Sequence, residues 1–258
     1  MPTGPDDRVP QGLSVNFPLE DNTVTVMVSC IERETERVRT LEQLGSAGIP
    51  MPWIAYNPCN SKDRAVHTKM LANSLRCIEH VLDHDGKHML FMEDDIDCKP
   101  AFVTWLKIAE YQEHLVTFTV LTGSKHPEEV EHWRDSPVIP PGLYRMPLTR
   151  WYGTQALFVP RPHVEGLRKY IQRTGADTAF DTKTMYYCNE GNASMYGAYP
   201  NPVQHRSPYK MVDLTHGRTD RGKRVSDSFN KLPNRPIQRL LDVRRQAWRD
   251  SSTALTTR

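Results

Sequence analysis

Four carboxylates within five residues, Glu93-Asp94-Asp95-Ile96-Asp97, are the part of this 258-residue sequence best equipped for chemistry. Like charges so close together raise one another's pKa unless something positive stands between them. A divalent cation is the natural partner. A turn can aim two hard oxygen ligands at one Mg²⁺ or Mn²⁺, from Asp94 and Asp97 or from Asp95 and Asp97. Such an ion would neutralise phosphate oxygens of a substrate. The plainer alternative is helix capping, with Asp97 as the N-cap of a helix starting near Pro100 and Ala101. Position favours the metal: the run His88-Met-Leu-Phe-Met92 just before the cluster is nearly all apolar, as a central strand is. Open α/β sheets bind their ligands beyond the carboxyl ends of such strands.

A competing metal signal is the spacing of His80, His84 and His88, but Gly86 should break the helix before His88 joins its face, which leaves a solvated helix end. No G-x-x-x-x-G-K-[ST] and no G-x-G-x-x-G after the first strand is available to grip phosphates. A nucleotide would therefore be held through metal and side chains.

The elements that must position the cluster alternate between short β-rich and helical patterns, the order of an α/β layer around a mostly parallel sheet. Val24 to Ser29 reads as the first strand, and Val38, Leu41 and Leu44 give helical spacing to Arg33–Leu44 before Gly45 and Gly48 stop it. Trp53 to Tyr56 is a second strand. From Lys62 to about Asp85, Val66, Met70, Leu71, Leu75, Ile78 and Leu82 recur on one face, a long helix covering the sheet. Pro100 to Gln112 is helical and Leu115 to Leu121 strand-like, whereas Gly123 to Tyr152 is a Pro-rich stretch without periodicity, a candidate active-site loop with Trp151 or Tyr152 as a stacking face. A strand at Gln155–Val159, a helix at Pro162–Gln172, a weaker strand at Met195–Tyr199 and a basic helix at Pro236–Arg249 complete the pattern.

Composition sets outer bounds. With 38% hydrophobic and 25% charged residues the chain supports one substantial core, and scattered Gly and Pro exclude collagen-like and disordered readings. Five cysteines, an odd number without a C-x-x-C pair, predict reduced thiols rather than a disulfide framework or zinc cage. The first residues lack the basic-then-apolar order of a secretory signal, and no run reaches the length of a membrane span, so a cytoplasmic protein is expected. Residues 214–258 hold 11 Lys and Arg against 4 Asp and Glu, a basic tail suited to nucleic acid, an anionic membrane or the body itself.

Three stretches resemble the metal-dependent GT-A glycosyltransferases, of the family-25 type that includes lipooligosaccharide and collagen galactosyltransferases. Val26-Met-Val-Ser-Cys-Ile-Glu-Arg33 with the following Arg-rich helix is similar to the opening strand and helix of that group, although its hydrophobic-Asn-Leu signature is missing. Ala65-Val-His67, the long helix and Leu90-Phe-Met-Glu-Asp-Asp-Ile96 resemble its Ser-His helix and Leu-Glu-Asp-Asp motif. Gly153-Thr-Gln-Ala-Leu-Phe-Val-Pro-Arg161 and Pro200-Asn-Pro-Val-Gln-His205 resemble the later strand, helix entry and terminal element, so the likeness runs from 24 to 206.

The resemblance implies a three-layer GT-A domain over 23–213, between a flexible N-terminus at 1–22 and the helical basic tail. It implies Mn²⁺ or Mg²⁺ on the diphosphate of a nucleotide sugar, bound by Asp95 or by Asp94 and Asp97, with His205 a further ligand. Arg33, Arg37, Glu93 and Asp94 would face the donor. If the reaction inverts the anomeric centre a carboxylate must deprotonate the acceptor hydroxyl; Asp177 and Asp181 are the first candidates and Glu190 the third, although either Asp could equally cap the segment near Thr178. The basic tail makes an anionic acceptor attractive, first a hydroxymethylated pyrimidine in DNA, as for phage-type transferases acting in a host cytoplasm. A lipooligosaccharide or polysaccharide acceptor is the alternative, and nucleotidyl transfer or a non-catalytic binding module stands further off.

Overall fold

The structure, a computed structural model, describes residues 22–57, 66–110, 112–119, 142–146, 154–175, 178–199 and 201–206. The N-terminus at 1–21, Trp151, Tyr152, Asp177 and the basic tail lie outside the described residues.

The β-branched run of Thr23–Cys30 forms β1, and after a single 3-10 turn at Ile31–Arg33 the chain enters α1, Glu34–Ser46. Gly48, at φ 73°, turns the chain out of α1 in the left-handed region that a Cβ disfavours. β2 (Trp53–Asn57), α2 (Val66–Leu82) and β3 (His88–Glu93) follow, then β4 (Ile96–Cys98), α3 (Phe102–Ala109) and β5 (Leu115–Thr117). The later elements are β6 (Gly142–Arg145), β7 (Ala156–Pro160), α4 (Arg161–Thr174), α5 (Phe180–Asn189), β8 (Met195–Tyr199) and β9 (Val203–His205).

Among the described residues seven strands make one sheet in the order β2-β1-β3-β7-β5-β8-β6, while β4 and β9 pair as a separate antiparallel ribbon. In the large sheet β1, β2, β3, β5 and β8 run one way and β7 and β6 the other, so the sheet is mostly parallel, as expected. Period-two alternation splits its side chains between two cores. Val26, Val28, Met89, Phe91, Leu157 and Val159 meet α2, α4 and α5 on one face. Met27, Leu90, Met92, Ala156 and Phe158 meet α1 and α3 on the other. The result is a three-layer mixed α/β fold.

Several expectations need correction. The Pro-rich stretch contains β6, which pairs antiparallel with β8 at the outer end of the sheet order. α5 was not expected, because it buries Lys183 and Thr184 beside Phe180 and Met185 and so lacks a clean apolar stripe. The strand expected to reach Leu121 stops at Thr117, and the helix expected over 100–112 covers Phe102–Ala109. Cys30 is disulfide-bonded, against the expectation of five reduced thiols. Cys77, Cys98 and Cys188 are free, and burial pushes each thiol up to about 12. The three histidines form no ligand set: His80 stacks on Trp53 with centroids 4.3 Å apart, His84 lies tilted against His80 at 4.2 Å, and His88 opens β3 against Phe158.

Arg161, the first residue of α4, fixes where α2 ends and β3 begins. Its guanidinium donates to the carbonyls of Val81 (3.3 Å), Leu82 (2.8 Å), Gly86 (2.8 Å) and His84, and its backbone N–H donates to the Lys87 carbonyl at 2.8 Å. These carbonyls belong to the last turn of α2 and to the turn that follows it, where a cation also suits the helix dipole; that of Val81 also accepts the His84 N–H at 3.2 Å. Arg161→Met should therefore lower stability by about 2 kcal/mol. An unchanged urea midpoint would show the cap to be dispensable.

Candidate active site

The chain leaves β1 through α1 to β2 on one side, then crosses back through α2 to β3 on the other. The carboxyl ends of β1 and β3 thus flank a topological switch point, where open α/β sheets leave a crevice. Register places Glu93 of β3 beside Val28 of β1, so Asp94 and Asp95 emerge against Ser29 and Cys30.

Asp94 is 2% exposed and locked to β1: its Oδ2 accepts from Ser29 Oγ at 2.8 Å and from the Cys30 N–H at 3.3 Å, and its Oδ1 lies 3.1 Å from Arg33. Burial and the neighbouring Asp95 outweigh these partners and push its carboxyl up to about 6. Thr40 of α1 donates to the Asp94 carbonyl at 2.7 Å, pinning the turn from the opposite side.

Asp95 is 1% exposed, and its Oδ2 receives both Arg33 and His205 Nε2, the latter at 2.9 Å. Burial opposes ionisation, yet His205 and Arg33 prevail and hold this carboxyl well below the ordinary carboxylate range. His205 arrives from the far end of the described chain. The β4–β9 ribbon sets Ile96 opposite His205, and the Arg206 N–H donates to the Asp95 carbonyl at 2.7 Å.

Ligand atoms of Glu93, Asp95 and His205 lie within 4.8 Å of one another, one set able to hold a metal ion among the described residues. Asp97 stands outside it, its Oδ1 taken by Arg206 Nε (2.7 Å) and Gln43 Nε2 (2.9 Å), with Arg39 3.5 Å away. Although partly buried, Asp97 is held below its usual pKa by Arg206 and Gln43.

Arg33 reaches the cluster directly. Arg37 braces β1 from behind, donating to Ser29 Oγ and the Cys30 carbonyl at 3.0 Å each, with its guanidinium 4.9 Å over the Tyr56 ring. Asp181 lies in the first turn of α5, where its Oδ1 accepts from the Thr182 N–H at 2.7 Å, and Glu190 binds Tyr170 Oη at 2.8 Å and Arg173 at 3.2 Å. Neither belongs to the ligand set. A cleft lined by Val28, Ser29, Arg33, Met70 and Asn73 opens beside Glu93 and Asp94.

Ser29, Thr40, Gln43 and Arg206 went unread in the sequence. Ser29 ends a strand and Thr40 and Gln43 sit within a helix, where nothing marks a polar residue as a partner. For Arg206 the one available signal was its place directly after His205.

No protein-family description matches the sequence, and no curated protein matches it. Similar solved structures include A197 from STIV (12% identity, TM-score 0.42, 71% of this chain and 86% of that chain covered). Another is a glycosyltransferase involved in glycosylation of the major capsid of PBCV-1 (11% identity, TM-score 0.41, 76% and 98% covered). The inositol-1-phosphate CTP transferase from T. maritima is also similar (11% identity, TM-score 0.37, 78% of each chain covered). Likenesses this remote assign neither a substrate nor a residue role to this chain.

Proposed function

We propose that this chain is a metal-dependent glycosyltransferase of the GT-A type, moving a sugar from a nucleotide-diphosphate donor to a hydroxyl. The observation that carries the reading is Asp95 Oδ1. This oxygen is buried and has no hydrogen-bond partner among the described residues, on a residue whose ligand atom lies within 4.8 Å of those of Glu93 and His205. A buried carboxylate oxygen without a partner is costly unless a cation faces it. Two carboxylates and an imidazole suit Mn²⁺ better than Mg²⁺, which prefers oxygen alone.

Glu93, Asp95 and His205 would hold the ion. When bound, it supplies a Lewis acid to the departing diphosphate, whose negative charge grows towards the transition state. Asp94, tied to Ser29, Cys30 and Arg33, keeps the turn rigid, and Arg33 and Arg37 give the crevice the positive charge a diphosphate requires. Deprotonation of the acceptor would fall to Asp181 or Asp177 if the anomeric centre inverts. The charge of residues 214–258 supports an anionic acceptor, with a hydroxymethylated pyrimidine in DNA first and a lipooligosaccharide second.

The test is incubation with Mn²⁺ and UDP-, GDP- and CDP-sugars, with and without hydroxymethylated or plain DNA, followed by product mass analysis. Sugar release or transfer should require the ion and stop in excess chelator. Full turnover in chelator would remove the metal role. Transfer to saccharide but never to DNA would discard the DNA acceptor.

A further inference from the structure

Asp95 Oδ2 is shared by two groups at once, the Arg33 guanidinium and His205 Nε2, while Oδ1 takes no hydrogen bond among the described residues. Arg33 simultaneously lies 3.1 Å from Asp94 Oδ1, so one guanidinium spans the two most buried carboxylates of the cluster. It occupies the electrostatic place that a divalent ion on Glu93, Asp95 and His205 would fill. Two such cations, ångströms apart in a buried site, repel strongly. Arg33 also lines the cleft beside Glu93, and its planar fork matches phosphate oxygens as well as it matches carboxylates.

We propose, resting on the metal reading above, that Arg33 and the divalent ion compete for Asp95, and that a donor diphosphate resolves the competition by giving Arg33 a new partner. Without nucleotide, Arg33 neutralises the carboxylates and keeps metal affinity low. With nucleotide, the guanidinium would move from Asp95 to a diphosphate oxygen, and His205 would leave Asp95 to present an unprotonated ring nitrogen to the ion, its Nε2 proton passing to solvent or to the other ring nitrogen. Metal and diphosphate therefore bind with positive coupling, reciprocal in size, and Arg33 is its source. The site stays closed to free ions and fills when a donor is present.

The experiment titrates Mn²⁺, followed by electron paramagnetic resonance of the free ion, with and without UDP and GDP, on the full chain and on Arg33→Gln and Arg33→Lys. In the original protein the diphosphate should tighten Mn²⁺ about tenfold or more. Arg33→Gln should bind Mn²⁺ alone about tenfold more tightly, with little further tightening from diphosphate. Arg33→Lys keeps the charge without the fork and should show an intermediate coupling; it carries the test if the Gln variant fails to fold. A merely structural arginine predicts the opposite sign, weaker Mn²⁺ in both variants, and that result would overturn the proposal. Mn²⁺ bound equally by all three proteins, with diphosphate tightening intact, refutes the competition while leaving the metal site standing. No Mn²⁺ binding by any of them, with or without diphosphate, removes the metal reading itself.

Discussion

Replacing Asp95 by Asn should abolish Mn²⁺ binding and at the same time destabilise the fold by about 3–5 kcal/mol. Both effects arise because Asp95 is the buried anion on which Arg33 and His205 converge. Removing its charge leaves those groups facing a neutral amide, and removing one partner of a buried pair costs far more than the pair contributes. Metal affinity should drop by more than the roughly 100-fold typical of residues that only support a ligand. Because the folded-state pKa of Asp95 is depressed, its contribution is fully present above the ordinary carboxylate pKa of about 4 and is lost as pH falls towards the folded value. The stability gap between the two proteins should therefore be constant at neutral pH and shrink in acid. Glu93→Gln is the informative companion, since Glu93 is only half-buried: its metal affinity should fall with little change in urea midpoint. An Asp95→Asn protein with unaltered stability would mean that the buried cluster is not charged as described.

The second large effect belongs to Arg206. Its side chain donates to Asp97 Oδ1 (2.7 Å), to the Glu36 carbonyl and Oε2 (3.0 Å each), to Thr40 Oγ1 (3.2 Å) and to the Ile96 carbonyl, tying β9 to α1 and β4. Arg206→Met would leave Asp97 and Glu36 without that cation and should cost about 3 kcal/mol. It should also weaken Mn²⁺ by roughly 10–100-fold, because His205 is the adjacent residue and loses its anchor. The spectroscopic mark is reduced nitrogen hyperfine coupling on bound Mn²⁺. Arg39→Gln is the contrast: 58% exposed and 3.5 Å from the same carboxylate, it should change stability by less than about 1 kcal/mol. Equal effects at the two arginines would contradict the assigned difference between a buried clamp and a surface pair.

Much of this arrangement was legible from local pattern alone. β1 and β3 announce themselves as apolar runs, α1 and α2 through spacing, and four carboxylates after a buried strand mark the crevice without further information. What local pattern cannot carry is which oxygen faces which neighbour. Asp97 looked as good a ligand as Asp95, yet its environment is set by Arg206, 109 positions away, through a ribbon whose two strands are three residues each. Strands so short have no periodicity to detect. α5 hid for a related reason, since its buried Lys183 donates to Thr174 and satisfies itself through contacts that composition does not reveal.

The β4–β9 ribbon also has a consequence for biosynthesis. β1, α1, β2, α2 and β3 are made first and can begin to pack, but β7, which fills the place beside β3, is translated more than sixty residues later, and His205 later still. A nascent chain therefore carries Glu93 and Asp95 through about 110 further residues of synthesis without the imidazole of the candidate ligand set. Prematurely released fragments would have part of the sheet without His205, so under the proposed function they should neither bind Mn²⁺ at this site nor turn over a nucleotide sugar.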